Sequence, residues 1–175
     1  VLTSVMGGHE HRLSGERLDR LMAFLGMGKP GRWTAGGSLF DLRRDGLYIV
    51  RAARGIGTLR LKPGESGIWD GRFHVINRHN GEIETRPASG DQLGLAARLL
   101  DVPSGVVKSL LKVRPAVAEV SDCVIPVQDV DLTRILTPFD RFLPRFDVTL
   151  AGKLAQIFGV CSYPPAPLWR SVTEN

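Results

Sequence analysis

The chain has 175 residues, 43% of them hydrophobic and 23% charged, which is the composition of a globular protein with material for one substantial core or two small domains. No apolar run approaches the roughly 18 residues of a membrane span, and the opening residues lack the order of a signal peptide, so a cytoplasmic protein is the default. The net charge of +5 is uneven: residues 1–62 hold eleven Lys and Arg against five Asp and Glu, residues 63–175 hold twelve against thirteen, and a basic first third favours polyanionic partners.

Residues 1–31 read as a helical linker or the end of a preceding helical domain. Ser14 stands where an N-cap belongs, and Leu18, Leu21, Met22 and Leu25 follow at i, i+3, i+4 and i+7 before Gly26 and Gly28 supply a stop. Val1–Met6 reads as the end of an earlier helix broken by Gly7-Gly8. With Val rather than Met at position 1, the chain reads as a piece of a longer protein.

Residues 32–126 read as an α+β domain, opening with an antiparallel meander of about six strands near 33–44, 47–53, 57–62, 66–69, 72–78 and 82–86. Three dipeptides carry that reading: Asp45-Gly46, Asp70-Gly71 and Asn80-Gly81 each supply the two positive-φ positions of a tight hairpin. In the central hairpin the shortest register sets Ile68 against Phe73 on one face, and one of the two faces reads as core. The same register sets Trp69 across from Arg72, close enough for the guanidinium to lie on the indole. Short helices are expected to cover the sheet. One carries Leu93, Ala97 and Leu100, and the other opens at Pro103 and carries Val106, Val107, Leu110 and Leu111. Residues 116–125 read as a small hairpin. Residues 127–175 read as an irregular, aromatic and Pro-rich tail with one helix, in which Leu150, Leu154, Ile157 and Phe158 share a side and Gly159 ends the turn.

The chain offers little for catalysis. Cys123 and Cys161 lack metal-ligand or redox spacing and read as packing residues; His9-Glu10-His11 has no further His or Cys nearby, and His74 and His79 have no paired carboxylate. Nucleophile-elbow, phosphate-loop and dinucleotide motifs are absent from the sequence. What remains is the arginines. Arg43 and Arg44 are read on opposite faces of one strand and Arg51 and Arg54 on the next, with Arg32, Arg60 and Lys62 bordering the same sheet. Arg12, Arg17, Arg20 and Lys29 add to them from the preceding segment. Like charges on neighbouring strands repel until an anion arrives, which favours phosphate contacts of salt-dependent, largely sequence-independent affinity. The candidate RNA-contact residues are Arg32, Arg43, Arg44, Arg51, Arg54 and Arg72, with stacking on Trp69 as the structural alternative for Arg72. A β-meander module that docks another protein at a sheet edge or on the aromatic tail is the competing reading.

Residues 1–125 resemble the region that follows the catalytic domain in bacterial tRNA(Ile)-lysidine synthetases, members of the PP-loop ATPase superfamily. The resemblance rests on ordered blocks: Val5-Met-Gly-Gly8, Arg17-Leu-Asp-Arg-Leu21, Arg32-Trp-Thr-Ala-Gly-Gly37, Leu47-Tyr-Ile-Val-Arg-Ala52, Pro63-Gly-Glu65, Ile68-Trp-Asp-Gly-Arg-Phe73 and Arg114-Pro-Ala-Val117. It implies an enzyme that adenylates cytidine-34 of the isoleucine tRNA with a CAU anticodon, using ATP and Mg2+, and then joins L-lysine to it. The family's Ser-Gly-Gly-x-Asp-Ser loop for ATP does not occur here; Gly36-Gly-Ser38 has the residues in the wrong order. The resemblance therefore implies a non-catalytic C-terminal portion that holds tRNA, with no catalytic residue and no cofactor of its own; the sequence leaves the oligomeric state, a homodimer included, open. The resemblance fades after about residue 126.

Overall fold

A computed structural model describes residues 6–7, 13–88, 104–120, 125, 127–136 and 148–160. The chain order is α1 (Gly15–Gly26), β1 (Gly31–Ala35), β2 (Ser38–Leu42), β3 (Leu47–Arg51), β4 (Leu59–Leu61), β5 (Ser66–Trp69), β6 (Phe73–Asn77) and β7 (Ile83–Pro87). Then come α2 (Ser104–Leu111), β8 (Pro115–Glu119), a 3-10 turn (Val127–Asp129), β9 (Val130–Arg134) and α3 (Val148–Phe158). The fold is α+β, as the sequence indicates. Its described strands number nine rather than six, and they form three antiparallel sheets, ordered β1-β2-β3, β4-β7-β8 and β5-β6-β9.

Turn chemistry explains one of the additional strands and the altered pairing. Residues 33–44, read as one strand, contain Gly36 and Gly37 at φ 53° and 71°, so Ala35 turns straight back onto Ser38 and the text folds into β1 and β2. Gly-Gly meets the same two-position requirement as Asn-Gly. Asp45-Gly46 is part of a four-residue connection closed by the Arg43 N–H donating to the Gly46 carbonyl at 2.8 Å. Arg43 and Arg44 therefore sit in a turn, not on opposite faces of a strand. Asn80-Gly81 makes no hairpin, because β6 pairs with β5 and β9 while β7 pairs with β4 and β8. The buried Asn77 amide redirects the chain there: it donates to the carbonyls of Leu61 (3.1 Å) and Gly81 (2.9 Å) and accepts from the His79 N–H (2.9 Å).

Asp70-Gly71 does form its hairpin turn, at φ 51° and 63°, with the Arg72 N–H donating to the Trp69 carbonyl at 3.0 Å. The register differs by one residue from the expected one: Trp69 faces Phe73, Ile68 faces His74, and Arg72 stands outside the ladder. A one-residue slip exchanges the faces. Trp69 is accordingly 1% exposed in the core and Ile68 is 47% exposed.

The second and third sheets enclose one core of Leu61, Trp69, Val75, Ile83, Ile125 and Val130. Part of it comes from the stretch read as an irregular tail, since β9 pairs with β6. A separate core lies under α1, where Leu21 meets Ala35 and Phe40 with Phe24, Leu25 and Ile49 around them. Ser14 occupies the N-cap in extended backbone without a side-chain capping bond, and Leu18 and Met22 remain exposed. On α3, Leu154 packs on Leu136 with Phe158 beside it, whereas Ile157 points to solvent. The helix expected near 91–100, the returning half of the 116–125 hairpin apart from Ile125, Cys123, Cys161, Arg12 and His9-Glu10-His11 lie outside the described residues.

Candidate nucleic-acid interface

The first sheet carries the basic segment, and its pairing sorts the arginines into three kinds. On the face away from α1, register places Arg32, Asp41 and Tyr48 side by side across β1, β2 and β3. Arg32 reaches one oxygen of Asp41 at 3.1 Å, and Arg43 reaches the same oxygen with two nitrogens at 3.0 and 2.8 Å while lying over the Tyr48 ring. Burial alone would raise the Asp41 pKa, but hydrogen bonds and charge from Arg43 and Arg32 outweigh it and hold the carboxyl below its usual 3.8. Asp41 in turn raises the pKa of Arg43. Two guanidiniums share one buried carboxylate, so a positive charge is left over, displayed chiefly by the half-exposed Arg32. Arg44, next in the turn, is exposed and has no partner among the described residues. Asp45 is exposed as well, accepting from the Tyr48 hydroxyl at 2.8 Å, and it trims the surplus of this end of the sheet to a single charge.

Arg51 and Arg72 are of the second kind. Both are buried and grip the same carboxylate, that of Asp70 in the β5–β6 turn: Arg51 at 3.0 and 3.2 Å, Arg72 at 2.6 Å. Arg51 further donates to the carbonyls of Gly37 (3.1 Å) and Ala52 (2.7 Å), and Arg72 to that of Val113 (2.6 Å). Arg72 lies against the Trp69 and Phe73 rings, so the stacking read from the sequence is present in the altered register. Burial lowers the Arg72 pKa, opposed by Asp70 and reinforced by Arg51. Arg134, over Phe73 and Phe158, is lowered to about 10 by burial and by the charge of Arg72. Through Asp70, Arg51 clamps the first sheet to the β5–β6 turn, and neither Arg51 nor Arg72 presents a donor at the surface.

The third kind lies at the Gly36-Gly37 end of the first sheet. Arg54 is exposed without a partner among the described residues, and its carbonyl lies near Arg51 Nη1 beside that hairpin tip. Arg17 and Arg20 reach the same tip from α1. Together with Trp33, Thr34, Ala35 and Gly36 they line a cavity of about 390 Å³. The sequence shows Arg17 and Arg20 only as supplementary charge and does not single out Trp33, although an aromatic beside basic residues is a legible signal. Arg60 is not part of this sheet: it lies on β4, where it pairs with Glu84 at 2.9 Å. Among the described residues no three His, Cys, Asp or Glu side chains converge as a metal site, and no helix is long and apolar enough to cross a membrane.

No protein-family model matches the chain, and no solved structure does either. Curated relatives do. A tRNA(Ile)-lysidine synthase of Rhizobium meliloti is 36% identical over 96% of this chain, and one of Bartonella quintana is 27% identical over 89%. The homologues of this chain are tRNA(Ile)-lysidine synthases. A third synthase, from Mesorhizobium japonicum, is 28% identical over 75% of the chain. The match takes in 38%, 35% and 30% of these synthases' own lengths, so the chain spans about a third of the relatives it matches. In the Rhizobium synthase the similarity runs over nearly the whole chain, past residue 126, where the sequence blocks alone lose the resemblance.

Proposed function

We propose that this chain is the C-terminal, tRNA-binding portion of a cytoplasmic tRNA(Ile)-lysidine synthase, and that it positions tRNA without itself catalysing lysidine formation. The observation that carries the reading is the match of nearly the whole chain to about a third of the synthase sequence. In this reading the ATP, Mg2+ and L-lysine chemistry on cytidine-34 belongs to a catalytic segment outside these 175 residues. The chain contributes charge and shape: Arg44 and Arg54 at opposite ends of the first sheet, Arg32 backed by Arg43, and Arg17 and Arg20 on α1. The two ends are about 13 Å apart, from the five-residue length of β3 at roughly 3.3 Å per residue, enough to meet more than one phosphate of a folded RNA. Arg51, through Asp70, serves by holding that sheet in place.

The test is a fluorescence-anisotropy titration of isoleucine tRNA with a CAU anticodon, at low salt, against this chain and its Arg44→Gln/Arg54→Gln variant. Both substitutions are at exposed positions without partners among the described residues, so the fold is untouched. Binding by the parent and a several-fold loss in the variant are expected. Failure of the parent to bind, or equal affinities, overturns the proposal and returns the protein-docking module to first place.

A further inference from the structure

We infer that the cavity between α1 and the β1–β2 hairpin is a seat for one unpaired ribonucleotide, its base lying on Trp33 and its phosphate between Arg17 and Arg20. The inference rests on the RNA-binding reading above and adds to it a specific site and the state of the RNA that fits. Trp33 stacks on Phe24 with ring centroids 5.9 Å apart and planes 27° apart, which fixes the indole, yet it stays 37% exposed. A pre-oriented, half-open indole is the platform on which bases stack in sequence-tolerant fashion. The cavity, at about 390 Å³, falls in the roughly 300–1,000 Å³ range of small-ligand clefts.

Its rim carries the complementary charge. Arg17 and Arg20 are one helical turn apart on α1 and so project on the same side. Arg17 has no partner among the described residues. Arg20 is held by Glu16 four residues earlier, in an exposed pair that an incoming phosphate displaces at little cost. Asp19, the other acid on this stretch, is two residues from Arg17 and about 200° around the helix, on another side. A base inside a helix has both faces covered by its neighbours in the stack and cannot lie flat on the indole; an unstacked one can, which selects single-stranded or looped RNA over helix interiors for this seat.

The probe is a pentamer of adenylate, compared with a blunt RNA duplex, bound to this chain and to Trp33→Leu, Trp33→Tyr and Arg17→Gln variants. Isoleucine tRNA affinity is measured in parallel and folding is checked by circular dichroism. The pentamer should lose roughly 5- to 150-fold in affinity with Trp33→Leu, the range for removing one base–aromatic stack. Trp33→Tyr should restore most of it, and Arg17→Gln should weaken pentamer binding in a salt-dependent way. Duplex binding should be insensitive to the Trp33 changes. Equal pentamer affinities for the parent and Trp33→Leu, with tRNA still bound, overturn the nucleotide seat alone. Absence of tRNA binding by the parent overturns the function on which it rests.

Discussion

Asp70→Asn is the substitution to which this fold should be most sensitive. Asp70 supplies the single carboxylate between two buried guanidiniums, and it sits at φ 51°, a left-handed conformation that Asn tolerates, so the exchange removes charge without adding backbone strain. Breaking a buried ion pair from one side costs about 3–5 kcal/mol, because the remaining charge is left uncompensated. Here the lower end applies: Arg51 keeps two short bonds to carbonyls and Arg72 keeps Val113. For a chain of this length each kcal/mol moves Tm by about 2–4 °C, so about 3 kcal/mol lowers it by roughly 6–12 °C. Thermal and urea unfolding followed by circular dichroism would measure the loss. Adding Arg72→Met should recover part of it by removing one orphaned charge. A loss below about 1 kcal/mol for Asp70→Asn would show that the clamp does not hold the first sheet to the rest, and would refute the reasoning.

Other consequences follow from the same structure. Asp41 has its pKa lowered on folding, so it contributes stability above the usual 3.8 that is lost as pH falls through its lower folded value; Asp41→Asn should flatten the acid limb of the stability curve below pH 3.8. Asn77→Ala removes three hydrogen bonds from the turn between two sheets, among them the amide donor to the carbonyl of buried Leu61. The expected loss, read from the urea midpoint, is about 1–3 kcal/mol. Gly7→Ala would drive a Cβ into the Gly36 carbonyl oxygen, backbone against backbone, and should cost about 1–3 kcal/mol, whereas Gly15→Ala, with open space around it, should be neutral or stabilising in thermal unfolding.

Local signals in the sequence are legible where a single turn decides the outcome. The α1 periodicity, the Asp70-Gly71 turn and the end of α3 at Gly159 all rest on rules that act within a few residues. What escapes depends on pairing between distant strands. Nothing near Asn80 says that β7 must leave β6 for β4; that is fixed by where the Asn77 amide finds its acceptors, one of them Leu61, sixteen residues back. The arginines show the same limit. A sequence displays Arg51 and Arg72 as charge, and only the fold shows that Asp70 gathers both into the interior while Arg44 and Arg54 stay in water. Trp33 is visible in the sequence as an aromatic beside basic residues, but it gains meaning only when Gly36-Gly37 turns β1 back and opens a cavity toward α1.

The salt dependence of tRNA binding tests the central claim most directly. Plotting the logarithm of the association constant against that of salt concentration should give a steep negative slope for this chain. Neutralising Arg44 and Arg54 should flatten it by about 0.7–0.9 for each phosphate that no longer meets a guanidinium. Parallel lines for the two proteins, or a slope near zero for the parent, would contradict an interface built on these exposed guanidiniums.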